Sequence, residues 1–382
     1  MAAPSRIDQT GKIATVSTRT PTKLTLERVV SRVINVPMRR PIVAKVGNYP
    51  DWPFILIDVY TQEGVVGRSY LEPYRLGATK SIAAMIEDIA EQQRGKPLAP
   101  FDRFQEAIGS LHLMGRQGVT LIAMSGLDMA MWDAQAKSVG QPLAVLLGGT
   151  LGPVRAYNTN GLWLIPLDHI ADQASSLVEE GDFKAIKIRL GRDNLNDDLK
   201  ALAEVRRAVG DDILLMSDFN QGQTFTVAQR RMHALDDQGL VWFEEPIVFD
   251  DYAGSAQLAA ELKTPVSIGE NIYGPRSFLD AVQHRAADCY MPDLERIGGV
   301  TGWLRAAAIA GAAGLPMSNH LYPEFSAHLM RVTETADWLE WRDWGNPFLT
   351  EPFPIRDGAI QIPDRPGAGL EWDEAAVTRF SV

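Results

Sequence analysis

From about residue 151 the chain falls into a regular beat that its first part lacks. Short apolar runs recur at Val154–Thr159, Ala185–Leu190, Ile213–Asp218, Val241–Glu245, Val266–Gly269, Cys289–Pro292, Pro316–Ser318 and Trp338–Trp341. Between most of them lie stretches of helical period, such as Leu195–Val209, Val227–Gln238 and Val300–Ala313. Runs this short with β-branched and aromatic residues read as strands, and the longer stretches read as helices. Eight such alternations in roughly 200 residues predict a compact (β/α)₈ TIM-type barrel. A doubly wound open sheet is the alternative, and it lacks the Gly-rich phosphate loop expected after its first strand. Upstream, Ile55–Tyr60 reads as a strand with a hairpin partner over Gly64–Tyr70, followed by helical patterns at about 79–93, 101–111 and 118–138. Strands first and helices later indicate an α+β domain. The expected division is a flexible arm over 1–25, the α+β domain over 26–150, the barrel over 151–350, and a segment over 351–382 that packs back on the first domain.

Composition narrows the function classes. The formal net charge of −11 opposes nucleic-acid binding, which needs a basic footprint. It leaves a small anionic ligand open, because a metal or lysine reverses the field within one cleft. The single cysteine, Cys289, excludes an internal disulfide and fits a reducing, cytoplasmic compartment. It sits in an apolar run and reads as a buried strand residue. No run reaches the ~18 apolar residues of a membrane span, and the first 25 residues hold no apolar core of a secretory signal.

Candidate chemistry gathers at the strand ends, where barrel active sites lie. Asp218, Glu244 and Glu270 close three successive strands at intervals of 26 residues. Each is one β/α unit from the next, so all three aim at one mouth. Three clustered anions repel unless a cation joins them, and hard oxygen donors suit Mg²⁺, with Mn²⁺ as a substitute. Asp293 and His320 close the next two strands. A carboxylate behind an imidazole fixes its tautomer and raises its basicity, as a general base requires. The other histidines (His112, His169, His233, His284 and His328) read as ordinary surface or core residues. Glu340 ends the last strand, where it would orient or, protonated, donate to a bound group. Lys187 and Arg189 end the second strand, two residues apart and therefore on one face, where two cations would hold a carboxylate and its enolate.

This pattern resembles the mandelate racemase subgroup of the enolase superfamily. The resemblance runs from Val36-Pro37 to Pro363-Asp364-Arg365-Pro366-Gly367 and is densest in Asp218-Phe219-Asn220-Gln221, Glu244-Glu245-Pro246, Gly269-Glu270-Asn271, Met291-Pro292-Asp293 and Ile297-Gly298-Gly299-Val300-Thr301-Gly302-Trp303. It implies a capping first domain, one Mg²⁺ on Asp218, Glu244 and Glu270, a base dyad of Asp293 and His320, and Glu340 as the acid that bonds the substrate carboxylate. It further implies Asn220 near the substrate, Lys187 as the first lysine of a Lys-x-Lys motif, and a homo-oligomer acting on a small hydroxycarboxylate.

One departure carries weight. The second lysine of that motif, a base opposite His320, is Arg189 here. Arginine stays protonated where lysine shifts its pKa readily. Racemisation needs an acceptor on each face, so a one-base reaction is expected, with dehydration of a sugar acid to a 2-keto-3-deoxy acid leading. Racemisation or epimerisation of a 2-hydroxy acid is the rival within enzymes, and a catalytically retired metal-binding homologue the rival outside them. For specificity, the 44–52 stretch is expected to act as a loop presenting Tyr49. Glu72 and Arg342 stand where apolar residues would line an aryl pocket, so a polar substrate is expected. Trp338, Trp341 and Trp344 are expected to pack at the barrel rim.

Overall fold

The computed structural model describes residues 23–382. The expected arm over 1–25, and with it the reading of the N-terminus as free of a secretory signal, falls almost wholly outside the described residues.

The first domain is a three-stranded antiparallel sheet with helices against it. Strands β1 (Leu26–Ala44), β2 (Gly47–Thr61) and β3 (Val66–Leu71) lie in sequence order. Helices α1 (Thr79–Gln93), α2 (Pro100–Ser110), α3 (Val119–Ser138) and the single turn α4 (Leu143–Leu146) follow. From Phe54 to Val59 every residue of β2 is buried, so both faces of the sheet are covered. Helix α3 packs on one face. Its residues are apolar nearly all round, the mark of a buried helix. Gly67 permits the approach, since a Cβ there would lie 2.0 Å from the Ala130 carbonyl oxygen on α3.

The 44–52 stretch is not a loop. Ile42 pairs with Tyr49, Val43 with Asn48 and Ala44 with Gly47, so β1 and β2 run on as a two-stranded ribbon past the sheet. Pro37, Pro41, Pro50 and Pro53 obscure the strand pattern in sequence, and the register shifts between Pro37 and Ile42. The ribbon reaches the barrel. Val43 accepts a backbone hydrogen bond from Leu164 (2.8 Å), and Lys45 pairs with Asp193 (2.7 Å).

The barrel has parallel strands β4 (Pro153–Asn158), β5 (Ala185–Arg189), β6 (Leu214–Asp218), β7 (Leu240–Glu244), β8 (Val266–Ile268) and β9 (Cys289–Tyr290), each paired to the next. Strand β10 (Leu339–Trp341) pairs with β4 and closes the ring. Helices α5 (Ile170–Glu179), α6 (Leu195–Val209), α7 (Phe225–Leu235), α8 (Tyr252–Glu261) and α9 (Gly274–Gln283) alternate with the strands. The short α10 (Leu294–Ile297), α11 (Gly299–Ala313) and α12 (Pro323–Met330) complete the set. The seventh strand, expected over Pro316–Ser318, is reduced to bridges at Met317 with Tyr290 and Ala336. Pro316 has no N–H to give, and side chains replace ladder bonds just beyond it. Asn319 Oδ1 accepts from the Glu340 amide at 2.8 Å, and Glu340 Oε2 accepts from the Leu321 amide at 2.9 Å. Cys289 is buried in β9 and unpaired.

In the last segment, β11 (Ile355–Arg356) and β12 (Ala359–Gln361) form a hairpin whose second strand pairs antiparallel with β4. Helix α13 (Glu374–Phe380) then lies against β1, with Glu374 paired to Arg32 at 2.5 Å and Trp372 Nε1 donating to Asp58 at 2.9 Å. Domain and barrel also meet through α3, where Asp128 accepts from the Thr301 hydroxyl (2.6 Å) and amide (2.8 Å). No helix among the described residues is long and apolar enough to cross a membrane.

Candidate active site

The carboxylates predicted on successive strand ends converge. Oxygens of Asp218, Glu244 and Glu270 lie within 4.8 Å of one another, and all three residues are buried. Burial pushes Glu244 up to about 8; Lys187 opposes this, while Asp218, Glu340 and Glu270 add to it. Such an all-oxygen cluster calls for a hard divalent cation. Asn220 and Asn271 brace it: Asn220 Nδ2 donates to Asp218 at 3.0 Å, and Asn271 Nδ2 donates to Glu270 at 2.9 Å. Backbone φ is positive at Asn220 (45°), Gln221 (60°) and Glu245 (38°), so these strand ends hold strained turns that the surrounding bonds maintain.

Lys187 and Arg189 share a face of β5, as alternation requires. Lys187 Nζ lies 2.6 Å from Glu244, 2.7 Å from Glu340 and 3.7 Å from Asp218. Burial would push the lysine down, but Glu244 and Glu340 outweigh it and hold it charged. Arg189 Nε is 3.2 Å from Asp218, one terminal nitrogen donates to Thr159 at 2.7 Å, and the guanidinium sits 4.1 Å over the Trp163 ring. Burial raises the Glu340 carboxyl, yet Lys187, His320 and Arg189 together hold it down at about 2. Of the two parts expected of Glu340, orienting a bound group or donating to it when protonated, the pairing with Lys187 favours the carboxylate form and so the first.

Asp293 and His320 bridge neighbouring strand positions. His320 Nδ1 is 2.7 Å from Asp293 Oδ2, while Nε2 turns inward, 3.3 Å from Glu270 and 4.0 Å from Glu340. Asp293 is fixed in turn, because its other oxygen accepts from the Glu295 and Arg296 amides at the start of α10. Burial lowers the imidazole, but Glu270, Asp293 and Glu340 push it up to about 9.

These groups open into a cavity of about 200 Å³ under the ribbon. Its floor includes Arg189, Asn220, Glu270, His320 and Glu340, and its wall includes Ile42, Tyr49, Trp52, Tyr74, Trp163 and Trp344. The wall is aromatic where the sequence pointed to polarity. Glu72 and Arg342 do not line it. Both are buried and paired with each other, and Glu72 also accepts from Trp52 Nε1 at 2.8 Å. Each charge is taken up behind the wall rather than presented to the cavity, so the two are withdrawn as substrate contacts. Trp344, expected at the rim, instead packs edge-on against Trp52, 4.9 Å between ring centres, in the cavity wall; Trp338 and Trp341 do not line it. A larger groove of about 940 Å³ between α2 and α9 holds no acid in its lining and lies apart from this chemistry.

Sequence reasoning missed Thr159, Trp163, Arg296 and Glu245. Glu245 is buried beside Glu244 and shares Asn271 with Glu270; burial and the Glu270 charge push it well up. Its only local signal was the doubled acid before Pro246.

Comparison with known proteins matches residues 27–148 to the mandelate racemase / muconate lactonizing enzyme N-terminal domain and residues 169–376 to the enolase C-terminal domain-like family. The chain is 33% identical to the L-talarate/galactarate dehydratase of Salmonella typhimurium strain LT2, over 84% of this chain and 81% of that one. An enolase structure from alpha proteobacterium BAL199 with bound magnesium is 49% identical, with a TM-score of 0.93, over 94% of this chain and all of that one. An enolase from Bradyrhizobium complexed with magnesium and mandelic acid is 38% identical, with a TM-score of 0.91, over 95% of this chain and all of that one.

Proposed function

This chain belongs to the mandelate racemase / muconate lactonizing enzyme family of the enolase superfamily, and on that premise we propose that it dehydrates a 2,3-dihydroxycarboxylate to a 2-keto-3-deoxy acid. Asp218, Glu244 and Glu270 would hold one Mg²⁺, and the ion would supply Lewis-acid stabilisation to the carboxylate as negative charge develops on it. The remaining work falls to side chains. Lys187 and Arg189 add positive charge on one flank of the site. His320 Nε2 takes the proton from Cα, and the bonding pair moves into the carboxylate to give an enolate. As the β-carbon–oxygen bond breaks, His320 returns its proton to the departing hydroxyl, which leaves as water. The resulting enol tautomerises to the 2-keto acid, so atoms and charge balance with no further reactant. Preorganised charge at the developing enolate is expected to be the largest catalytic contribution.

The observation that carries this reading is Arg189. It stands where a second base would be needed, and an ion pair with Asp218, a hydrogen bond to Thr159 and the ring of Trp163 hold it in place. Among the described residues His320 is the one imidazole lining the cavity. Proton traffic then runs through one face.

A second reading, racemisation or epimerisation of a 2-hydroxy acid, draws support from the aromatic wall and from the mandelic acid bound by the Bradyrhizobium relative. One experiment separates them. The protein with Mg²⁺ is incubated in D₂O with a panel of sugar acids and aryl 2-hydroxy acids. A 2-keto product supports dehydration. Deuterium at Cα with inversion and no keto product overturns it in favour of racemisation.

A further inference from the structure

Glu72 is withdrawn from the substrate's reach, yet it touches every segment that carries the proton-transfer groups. Its backbone N–H donates to the Tyr322 hydroxyl at 3.0 Å and to Glu295 Oε2 at 3.1 Å. The Tyr322 hydroxyl donates to the same Glu295 oxygen at 2.7 Å. Its carboxylate joins Arg342 on one oxygen and Trp52 on the other. Glu295 is two residues beyond Asp293, Tyr322 two beyond His320, and Arg342 two beyond Glu340. One residue of the first domain thus ties together three strand-end segments, each carrying a group placed in the chemistry.

The tie bears on both halves of the site. Leu321 and Tyr322 directly follow His320, and both have φ of 53°. Two consecutive left-handed residues other than glycine persist only where their surroundings over-determine them. Here the Leu321 amide is held by Glu340, and the Tyr322 side chain by Glu295 and Glu72. On the other arm, the Arg342 guanidinium lies 4.5 Å from the Trp344 ring. Trp344 packs on Trp52, whose indole nitrogen is bonded to Glu72. The carboxylate therefore reaches two of the three tryptophans of the cavity wall, Trp52 directly and Trp344 through Arg342.

We propose that Glu72 is a positioning residue with two separable arms. Its backbone, through Tyr322 and Glu295, fixes the His320–Asp293 dyad. Its carboxylate, through Arg342 and Trp52, fixes the aromatic wall that binds the distal part of the substrate. The kinetic form of the test rests on the functional reading above; the structural form does not.

Tyr322→Phe removes the hydroxyl and keeps the ring stacked 5.2 Å from Tyr70. A small misplacement of a base is costly, so kcat should fall roughly ten- to a hundredfold while KM stays within about twofold. The paired change Glu72→Gln with Arg342→Gln removes both charges together, so neither is left buried alone. It should raise KM roughly tenfold and leave kcat within about threefold. A residue that merely holds the fold together would lower the folded fraction in both variants without this split. Equal losses of kcat and KM in the two variants, or none, would overturn the proposal. If the native protein turns over no hydroxy acid, the functional reading fails, and amide hydrogen exchange then decides the tie. Tyr322→Phe should speed exchange at 294–297 and at 321–322, and the Gln pair should speed it at 339–344. Unchanged protection at those amides refutes it.

Discussion

On the barrel side of the cavity, Asp218, Glu244, Glu270, Glu340, Lys187, Arg189 and His320 crowd together with almost no exposed surface; on the side of the first domain, Trp52, Tyr74 and the ribbon residues Ile42 and Tyr49 present mostly carbon. The first face is expensive to assemble. Each charge loses its hydration, and only mutual pairing and a cation offset that loss. The second face assembles through ordinary apolar burial, which is non-directional and tolerant of substitution. We propose that the difference separates two kinds of information: the barrel face restricts the reaction, and the first domain's face restricts the substrate. Changes on the barrel face should therefore remove chemistry outright, and changes on the other should alter affinity and preference.

The sharpest break falls on the acid triad. Asp218→Asn, Glu244→Gln or Glu270→Gln should each reduce Mg²⁺-dependent turnover by about 10²–10³-fold or more, without unfolding the chain as judged by circular dichroism. Removing the metal from the native protein with EDTA should do the same, and adding Mg²⁺ back should reverse it. Full turnover in EDTA would dismiss a metal from the mechanism. Next comes the base. His320→Asn should cost about 10²–10⁴-fold in kcat and abolish deuterium incorporation at Cα. Retained exchange in that variant would move proton abstraction to another group.

These two predictions concern residues that sequence made visible, and the reason is geometric. A barrel strand ends at its mouth, so an acid in that position is marked by its place in a repeating unit, as with Asp218, Glu244 and Glu270. The same rule brought out Asp293 and His320. It also made the eight-strand ring legible, except where Pro316 and the side chains of Asn319 and Glu340 take over from ladder bonds. The opposite face follows no such period. Glu72 and Arg342 are 270 residues apart, and nothing local announces that two charges so distant meet in a buried pair. Read singly, each looked like a polar wall residue. The ribbon was hidden by its prolines, and the inward turn of Trp344 depends on packing against Trp52 and Trp163, which belong to other segments.

A milder change sharpens the comparison from the wall side. Trp52→Ala and Trp344→Ala should raise KM roughly tenfold, on the scale of discrimination that an apolar pocket provides. They should leave kcat largely intact and broaden the range of distal substituents accepted. Steady-state kinetics over a panel of acids differing only beyond the β-carbon measures this. A fall in kcat with KM unchanged would mean that these rings serve the chemistry and that the division between the faces is false.

The smallest expected effect lies on the boundary between the faces, at Arg189. Its guanidinium forms an ion pair with Asp218 and a hydrogen bond to Thr159 while resting on the Trp163 ring, so it joins the carboxylate cluster to the aromatic wall. A lysine there keeps positive charge near Asp218 but lacks the planar fork and cannot make all three contacts at once. Its amine also releases a proton far more readily than a guanidinium does. Arg189→Lys should therefore weaken turnover modestly, by roughly tenfold, while adding slow exchange of the α-proton from the enantiomer that the native protein leaves untouched. Arg189→Met should lose turnover without gaining that exchange, which separates a new base from a merely loosened site. Both are read by mass spectrometry of each enantiomer recovered from D₂O. Opposite-face exchange already present in the native protein would show that Arg189 does not confine proton transfer to one face, and the dehydration reading would give way to racemisation.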